Sequence, residues 1–451
     1  MASATSVSYT GVQDVDGVLS GVRWSDLQLS FSFASSGLSV GSLVGVKVQT
    51  LSAVQQDAIR SVLKLAASVT GLTFTEVAET RSSQGTLRFG ESATEITASG
   101  YYPSSQTNGG DAWFNRIDYN APDRGGYAFL TMLHETGHTL GLDHAHEGKY
   151  ALPSDHDSLE YSVMSYRSYA GGPAAAYTVR DGSYPRSYML DDLAALQYMY
   201  GGNYSTNADS TTYRWSPTTG ELVINGAGQG ASATNTILET IWDGGGTDTY
   251  DFSAYKTGVL VNINPGGWTT TSAAQLAVLG SGHLARGNIA SAYLYNGNTT
   301  SLIENVIGGS GSDRIIGNVA SNRLDGRAGS DTLIGSAGND VLNGGGGADR
   351  FVFSTTLGAD NVETIGDFKH NSDIIQLEDW LFPAIGPSLT AAEFYAKAGA
   401  HKGHDRNDRL IYNTSNGSLY YDADGNKSGA AIHIATLTNK PHLDHGDFAI
   451  V

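Results

Sequence analysis

Residues 27–33 read LQLSFSF, in which Leu27, Leu29, Phe31 and Phe33 alternate with polar positions, the period of a strand with one buried face. From Ser52 the spacing lengthens. Val54, Ala58, Val62, Leu65 and Val69 recur every three or four residues, which predicts a helix with Ser52 as N-cap and Gly71 as its stop. Short strands are expected around 86–89 and 112–115, separated by a polar Gly/Ser/Asn-rich loop at 99–110. A second helix is expected over 127–140. A third, LDDLAALQYMYG at 190–201, has Asp191 or Asp192 near its start and ends at Gly201. Beyond about 205 helical periodicity fades and Gly, Asn, Asp, Ser and Thr dominate. The chain therefore divides near 200–212 into a mixed α and β part, 1–205, and a second part, 206–451.

The second part is periodic. From Gly308 it falls into five consecutive nine-residue units: GGSGSDRII, GNVASNRLD, GRAGSDTLI, GSAGNDVLN and GGGGADRFV. The sixth place holds Asp313, Asn322, Asp331, Asp340 and Asp349, and the eighth holds Ile315, Leu324, Leu333, Leu342 and Phe351. This is the nonapeptide pattern of a parallel β-roll. Six residues form a turn, where glycine permits positive φ, and three form a strand whose middle residue points inward. Calcium, which takes six to eight oxygens, fits between stacked turns. The ligands expected are the carbonyls of Gly309, Gly311, Gly329, Gly338, Gly345 and Gly347 and the carboxylates of Asp313, Asp331, Asp340 and Asp349. A flexible Gly/Asp linker is the alternative, but it does not account for an apolar residue locked at one place in every unit. The second unit is the weakest, with Asn318 and Ala320 at usual glycine places.

Charge agrees with a cation-collecting protein. Asp and Glu total 45 against 26 Lys and Arg, a formal charge of -19, which argues against nucleic-acid binding. There is no cysteine, so disulfides and thiolate metal sites are excluded. No apolar run approaches the roughly 18 residues of a membrane span. The N-terminus lacks the basic start and apolar stretch of a signal peptide.

Residues 134–144 read HETGHTLGLDH. His134 and His138, four apart on the expected helix, project from one face, with Glu135 beside them. Gly141 can take the left-handed conformation that ends a helix and returns the chain, bringing His144 back as third ligand. Three imidazoles with one open position make a catalytic rather than structural zinc site. The extended motif is the metzincin signature, and Met164, in SVMSY at 162–166, supplies the methionine turn that should follow. His146 and His156 do not fit the motif and are read as loop histidines.

With HETGHTLGLDH, YSVMSY, LDDLAALQYMYG, IWDGGGTDTYDFS and IENVIGGSGSD in this order, the chain resembles the serralysins, bacterial metzincins with calcium-binding repeats. The resemblance covers most of the chain. It implies an α+β metzincin zinc-protease domain followed by an all-β C-terminal parallel β-roll. It implies one catalytic zinc on His134, His138 and His144, Glu135 as general base, Met164 as a hydrophobic floor and Tyr166 as stabiliser of the tetrahedral intermediate. Several structural calcium ions follow from it, with Asp243, Gly245, Gly246, Asp248 and Glu304 as further ligands. Three departures stand out. The chain begins close to the catalytic domain, without an evident propeptide. The family's Arg-x-Asp-x-Thr turn is not evident in RWSPTTGELVING, and the loop from His144 to Met164 looks short.

The resemblance also implies a secreted, extracellular monomer, exported by a type I apparatus that reads the C-terminal end HGDFAIV. A last core strand is the other reading of that tail. The expected activity is endopeptidase cleavage of extracellular proteins or peptides, with a proteinaceous inhibitor as a further partner and neither nucleic acid nor membrane span. An extended substrate would pair with an edge strand, for which 112–115 is the candidate. Two rival readings remain. A calcium-organised adhesion protein would need neither Glu135 nor Tyr166, and a processing protease would differ only in selectivity.

Overall fold

The computed structural model describes residues 3–35, 48–80, 83–93, 95–147 and 150–451. Its first half is a twisted sheet covered by helices. Strands run in the order Thr73–Glu76, Gln28–Phe33, Leu87–Ser92, Asp111–Phe114, Ala98–Gly100. All neighbours are parallel except the last pair, which is antiparallel.

Helix Ala53–Val69 starts with a complete capping box: Gln55 N–H donates to Ser52 Oγ and Ser52 N–H to Gln55 Oε1. Such a box satisfies two of the free N–H groups of the first turn. Its buried stripe is Gln55, Ala58, Ile59, Val62, Leu63, Ala66 and Val69. Val54, expected in that stripe, is 59% exposed, because the helix turns Gln55 inward to donate to Glu91. Helix Tyr127–Thr139 is buried on nearly every side, and helix Leu190–Tyr200 ends at Gly201, whose φ is 78°.

The structure departs from two expectations. The stretch 99–110 is not wholly loop, because Ala98–Gly100 is a strand. That strand pairs with Asp111–Phe114 and takes the edge, so 112–115 is an interior position of the sheet and not its edge.

In the second half, strands alternate between two sheets, recurring every nine residues from Asn305 to Phe353. Leu260–Asn262, Arg314–Ile316, Thr332–Ile334, Arg350–Phe353, Ile374–Leu377 and Phe448–Ile450 stack in parallel on one side. Thr249–Asp251, Asn305–Ile307, Arg323–Asp325, Val341–Asn343 and Glu363–Ile365 stack in parallel on the other. Ile315, Leu333 and Phe351 face Val306, Leu324 and Leu342 across the coil, all at 0% exposure. The tail Phe448–Ile450 is a core strand of this coil.

Both halves share packing. Leu238, Trp242, Ala277, Leu279 and Ala285 join the core of the first half rather than that of the coil. We expect Leu333→Ala to cost about 2–5 kcal/mol, the range for a fully buried leucine, and Ser52→Ala about 1 kcal/mol. Equilibrium unfolding in denaturant compares the two; equal effects would contradict the different burial of the two sites.

Candidate active site

Helix Tyr127–Thr139 carries His134, Glu135 and His138 into the interior at 6%, 7% and 5% exposure. After it, Gly141 takes φ 101°, and a side chain there would strike the Val22 carbonyl. The chain reverses at this turn and brings His144 back as expected. Each imidazole is oriented through Nδ1. His134 donates to the Val163 carbonyl at 2.8 Å, His138 to the Leu142 carbonyl at 2.8 Å, and His144 faces Glu147 Oε2 at 3.1 Å. Such partners fix the tautomer and leave Nε2 free to ligate. His138 Nε2 lies 3.1 Å from Nε2 of both His134 and His144. Nitrogens about 2.0–2.1 Å from a tetrahedral zinc stand roughly 3.3 Å apart, so the donor set fits that ion.

Burial, with the neighbouring imidazoles adding to it, lowers the pKa of His134 well below the usual histidine range and that of His138 to about 4. Both are therefore neutral, as ligands must be. Glu135 is pushed up to about 8 by burial, with Glu95 adding to it and the Gly100 N–H opposing. Strand Ala98–Gly100 reaches Glu135 only because residue 100 has no side chain: a Cβ there would sit 2.5 Å from the Glu135 carbonyl and 2.9 Å from His138 Cβ. Tyr166 Oη is 2.9 Å from His144 Nε2, and burial raises its pKa to about 12. A cleft of about 550 Å³ opens beside Glu135, with Thr97, Ala98, Leu130, Tyr177 and Tyr184 among its walls.

Met164 is fully buried, with its sulfur against Gly137 of the histidine helix. What holds this turn was not legible beforehand. Asp192, read only as a residue near a helix start, accepts from Ser162 Oγ at 2.6 Å, Val163 N–H at 2.8 Å and Met189 N–H at 2.9 Å. It thereby fixes the carbonyl that orients His134. His156, read as a loop histidine, bonds Asp191 at 3.0 Å and stacks on Tyr161 at 3.7 Å. His146 packs on Tyr166 at 4.7 Å between ring centroids.

The second-half sites also assemble. Asp313, Asp331 and Asp349 form one column and Asn322 and Asp340 another. In each, a side-chain oxygen accepts the backbone N–H of the residue 18 positions earlier: Asp331 from Asp313 at 2.7 Å, Asp349 from Asp331 at 3.0 Å, Asp340 from Asn322 at 2.7 Å. The other oxygen, Oδ2, of Asp331, Asp340 and Asp349 is buried without a partner. The turns stack closely: a Cβ on Gly329 would meet the Gly311 carbonyl, one on Gly338 the Ala320 carbonyl, one on Gly345 the Arg327 carbonyl, and one on Gly347 the Gly329 carbonyl. Gly309 N–H donates to Asp313 Oδ2 at 2.6 Å. Orphaned carboxylate oxygens among carbonyls fit a hard cation such as calcium.

In the weak second unit, Asn322 Nδ2 donates to the Glu304 carbonyl and Asn318 Nδ2 to those of Ile263 and Ile303. An amide there makes bonds of its own. The columns run on past Asp349, where Asp373 accepts from Asp349 N–H and Glu363 from Asp340 N–H. The sequence hid these two because their spacing breaks the nine-residue phase.

Asp243 Oδ1 accepts from Gly245 N–H, Asp248 Oδ1 from Thr211 N–H, and Glu304 Oε2 from Asp248 N–H, each at 2.7 Å; Asp248 Oδ2 is orphaned. Gly245 and Gly246 take φ 146° and 132°. The Asp209 carbonyl lies against Gly246. The segment 207–211, NADST, thus supplies an Asp-x-Thr turn facing this site, with Asn207 at the arginine's place.

A histidine helix seated on a buried methionine, joined to a two-sided coil of parallel strands, defines a metzincin fold followed by a β-roll. Residues 202–435, more than half of the chain, match the family described as Peptidase M10 serralysin C terminal, and residues 42–155 match Matrixin. The chain belongs to the serralysin family of M10 peptidases. Serralysin B of Dickeya chrysanthemi is 33% identical over 284 residues, 58% of this chain and 52% of its own length. Serralysin A of the same organism is 32% identical over 307 residues, 63% and 57%. Metalloprotease AprA of Pseudomonas entomophila is 30% identical over 330 residues, 68% and 63%. The chain thus spans roughly half to three-fifths of the length of these relatives. Among the described residues no helix is long and apolar enough to cross a membrane.

Asp192→Ala would leave three buried donors without an acceptor, each costing about 1–3 kcal/mol. We expect at least about 3 kcal/mol of lost stability in denaturant unfolding; a loss under about 1 kcal/mol would mean the methionine turn does not rely on this carboxylate.

Proposed function

We propose that the chain is a secreted, zinc-dependent endopeptidase in residues 1–205, stabilised by calcium in a β-roll over residues 206–451. The observation that carries this reading is the meeting of three Nε2 atoms, that of His138 lying 3.1 Å from each of the other two, beside buried Glu135 and the Tyr166 hydroxyl. Zinc on His134, His138 and His144 would supply a Lewis acid that polarises the scissile carbonyl and acidifies water. Glu135, held by the Gly100 N–H, takes the proton of the attacking water and returns it to the leaving amine. Tyr166 donates to the developing oxyanion. The free edge of Ala98–Gly100, beside the cleft, takes up an extended substrate as an added strand.

Calcium on Asp243, Asp248 and the repeat carboxylates couples folding to the extracellular medium. Where calcium is scarce the aligned carboxylates oppose closure of the roll, and the loose chain suits one-step export through a type I apparatus that reads its C-terminal tail. Forming a core strand after export is compatible with being read as an unfolded tail before it.

We expect Glu135→Ala to keep stoichiometric zinc while losing nearly all casein hydrolysis. Tyr166→Phe should fall by on the order of 100–1000-fold. Normal turnover by the Glu135 variant would overturn the assignment of the base.

The roll also predicts a pH dependence with a definite sign. Burial raises Asp331 and Asp340 to about 7 and Asp248 to about 8 in the metal-free protein, above their unfolded value of 3.8. The folded state then binds more protons than the unfolded one. This contribution is fully present below about pH 4 and is lost as pH rises through 7–8. Calcium-stripped protein should therefore melt at a lower temperature at pH 8 than at pH 5.5. Calcium needs the ionised carboxylates, so adding it at about 0.1–1 mM should raise the melting temperature far more at pH 8. A calcium effect equal at both pH values would count against the carboxylate columns as its site.

A further inference from the structure

A second cleft, of about 520 Å³, lies where the two halves meet, with helix Ala53–Val69 on one side and the hairpin 222–228 on the other. Leu65, Val69, Leu193, Leu222, Ile224 and Trp242 give it an apolar wall. Its polar groups are unusual for a chain of net charge -19: Arg124, Arg186 and Lys64 against one carboxylate, Glu239.

Arg186 is 3% exposed. Nη1 donates to the Gly220 carbonyl at 2.7 Å and Nη2 to those of Thr236 and Thr234, but Nε is buried without a partner. Arg124 lies with its guanidinium 5.8 Å from the centre of the Phe129 ring. Glu239, 4% exposed, is the carboxylate whose charge reaches both guanidinium groups, and its Oε1 is already engaged by the Trp215 indole N–H at 2.7 Å. Lys64 is exposed to solvent, so among the groups taken out of water two guanidinium groups share one carboxylate, and one positive charge is left without a counterion. Such a charge is costly unless paired. Burial accordingly holds the pKa of both arginines below the usual range.

We propose that this cleft binds a monocarboxylate carried on an apolar body, with Arg124 and Arg186 on the carboxylate and the leucine, isoleucine and tryptophan side chains around the body. The volume falls within the roughly 300–1,000 Å³ of small-molecule sites, which combine apolar walls with a few polar anchors. One uncompensated charge matches a single carboxylate; a polyphosphate would meet Glu239 at close range. Walls from both halves line the cleft, so an occupant stabilises their packing by binding only the folded, docked form. Two sources carry this chemistry, a medium-chain fatty acid and the C-terminal end of an apolar peptide.

The test is calorimetric titration of the full-length, zinc- and calcium-loaded protein with decanoate, with acetyl-Leu-Leu and with acetyl-Leu-Leu amide. We expect at least one of the two carboxylates to bind and the amide not to. A fatty acid is the ligand class if only decanoate binds, and a peptide end if only the dipeptide does. Arg124→Met should weaken binding by about 10–100-fold, the loss of a charge-assisted bond. Ile224→Glu, which places a competing carboxylate on the apolar wall, should weaken it similarly and decides the matter if Arg124→Met does not fold. No binding of either carboxylate up to millimolar concentration, equal binding of the amide, or affinities unchanged in the folded variants would each overturn the proposal.

Discussion

Lone pairs that point at one another inside a protein repel unless a cation shares them, and both halves of this chain are organised around such convergences. At His134, His138 and His144 three Nε2 atoms meet, that of His138 lying 3.1 Å from each of the others, and each ring is turned inward by a bond at its other nitrogen. In the coil, Asp331, Asp340 and Asp349 each spend one oxygen on the backbone of the neighbouring turn and leave the other buried and free. The backbone bonds give the columns their spacing, and the free oxygens are the groups to which the proposed calcium would bind.

The histidine helix is positioned from three sides. The strand Ala98–Gly100 closes on Glu135 through a residue without a side chain, the methionine turn supports Gly137 from below, and Asp192 ties that turn to the last helix of the first half. Asp192 thereby reaches His134 through one residue, since it holds the Val163 N–H and the Val163 carbonyl holds the imidazole.

The halves are not independent beads. Leu238, Trp242, Ala277, Leu279 and Ala285 enter the first core, and Arg286 N–H donates to Glu160 Oε1 at 2.7 Å. The coil therefore supplies part of the surface on which the first half rests, so the packing of the two halves is linked. The cleft lined by Arg124 and Arg186 lies on the same seam.

The sequence by itself determined whatever depends on neighbours in the chain. The i, i+4 histidines with Glu135 between them, the left-handed Gly141, the Ser52 cap and the nine-residue phase with its inward Ile, Leu and Phe are all local, and the structure places each as its spacing demands. Tertiary structure decided the rest. Val54 faces water because Gln55 finds Glu91 across the core. The sheet edge passed from 112–115 to Ala98–Gly100 because edge position depends on which strand pairs last, a long-range choice that alternation does not encode. Glu363 and Asp373 extend the carboxylate columns although their spacing departs from the repeat, because stacking requires only that the next turn arrive, not that it come nine residues later. Asp192 and His156 acquired their roles through partners some 30 residues away in sequence, and only folding brings such partners within bonding distance.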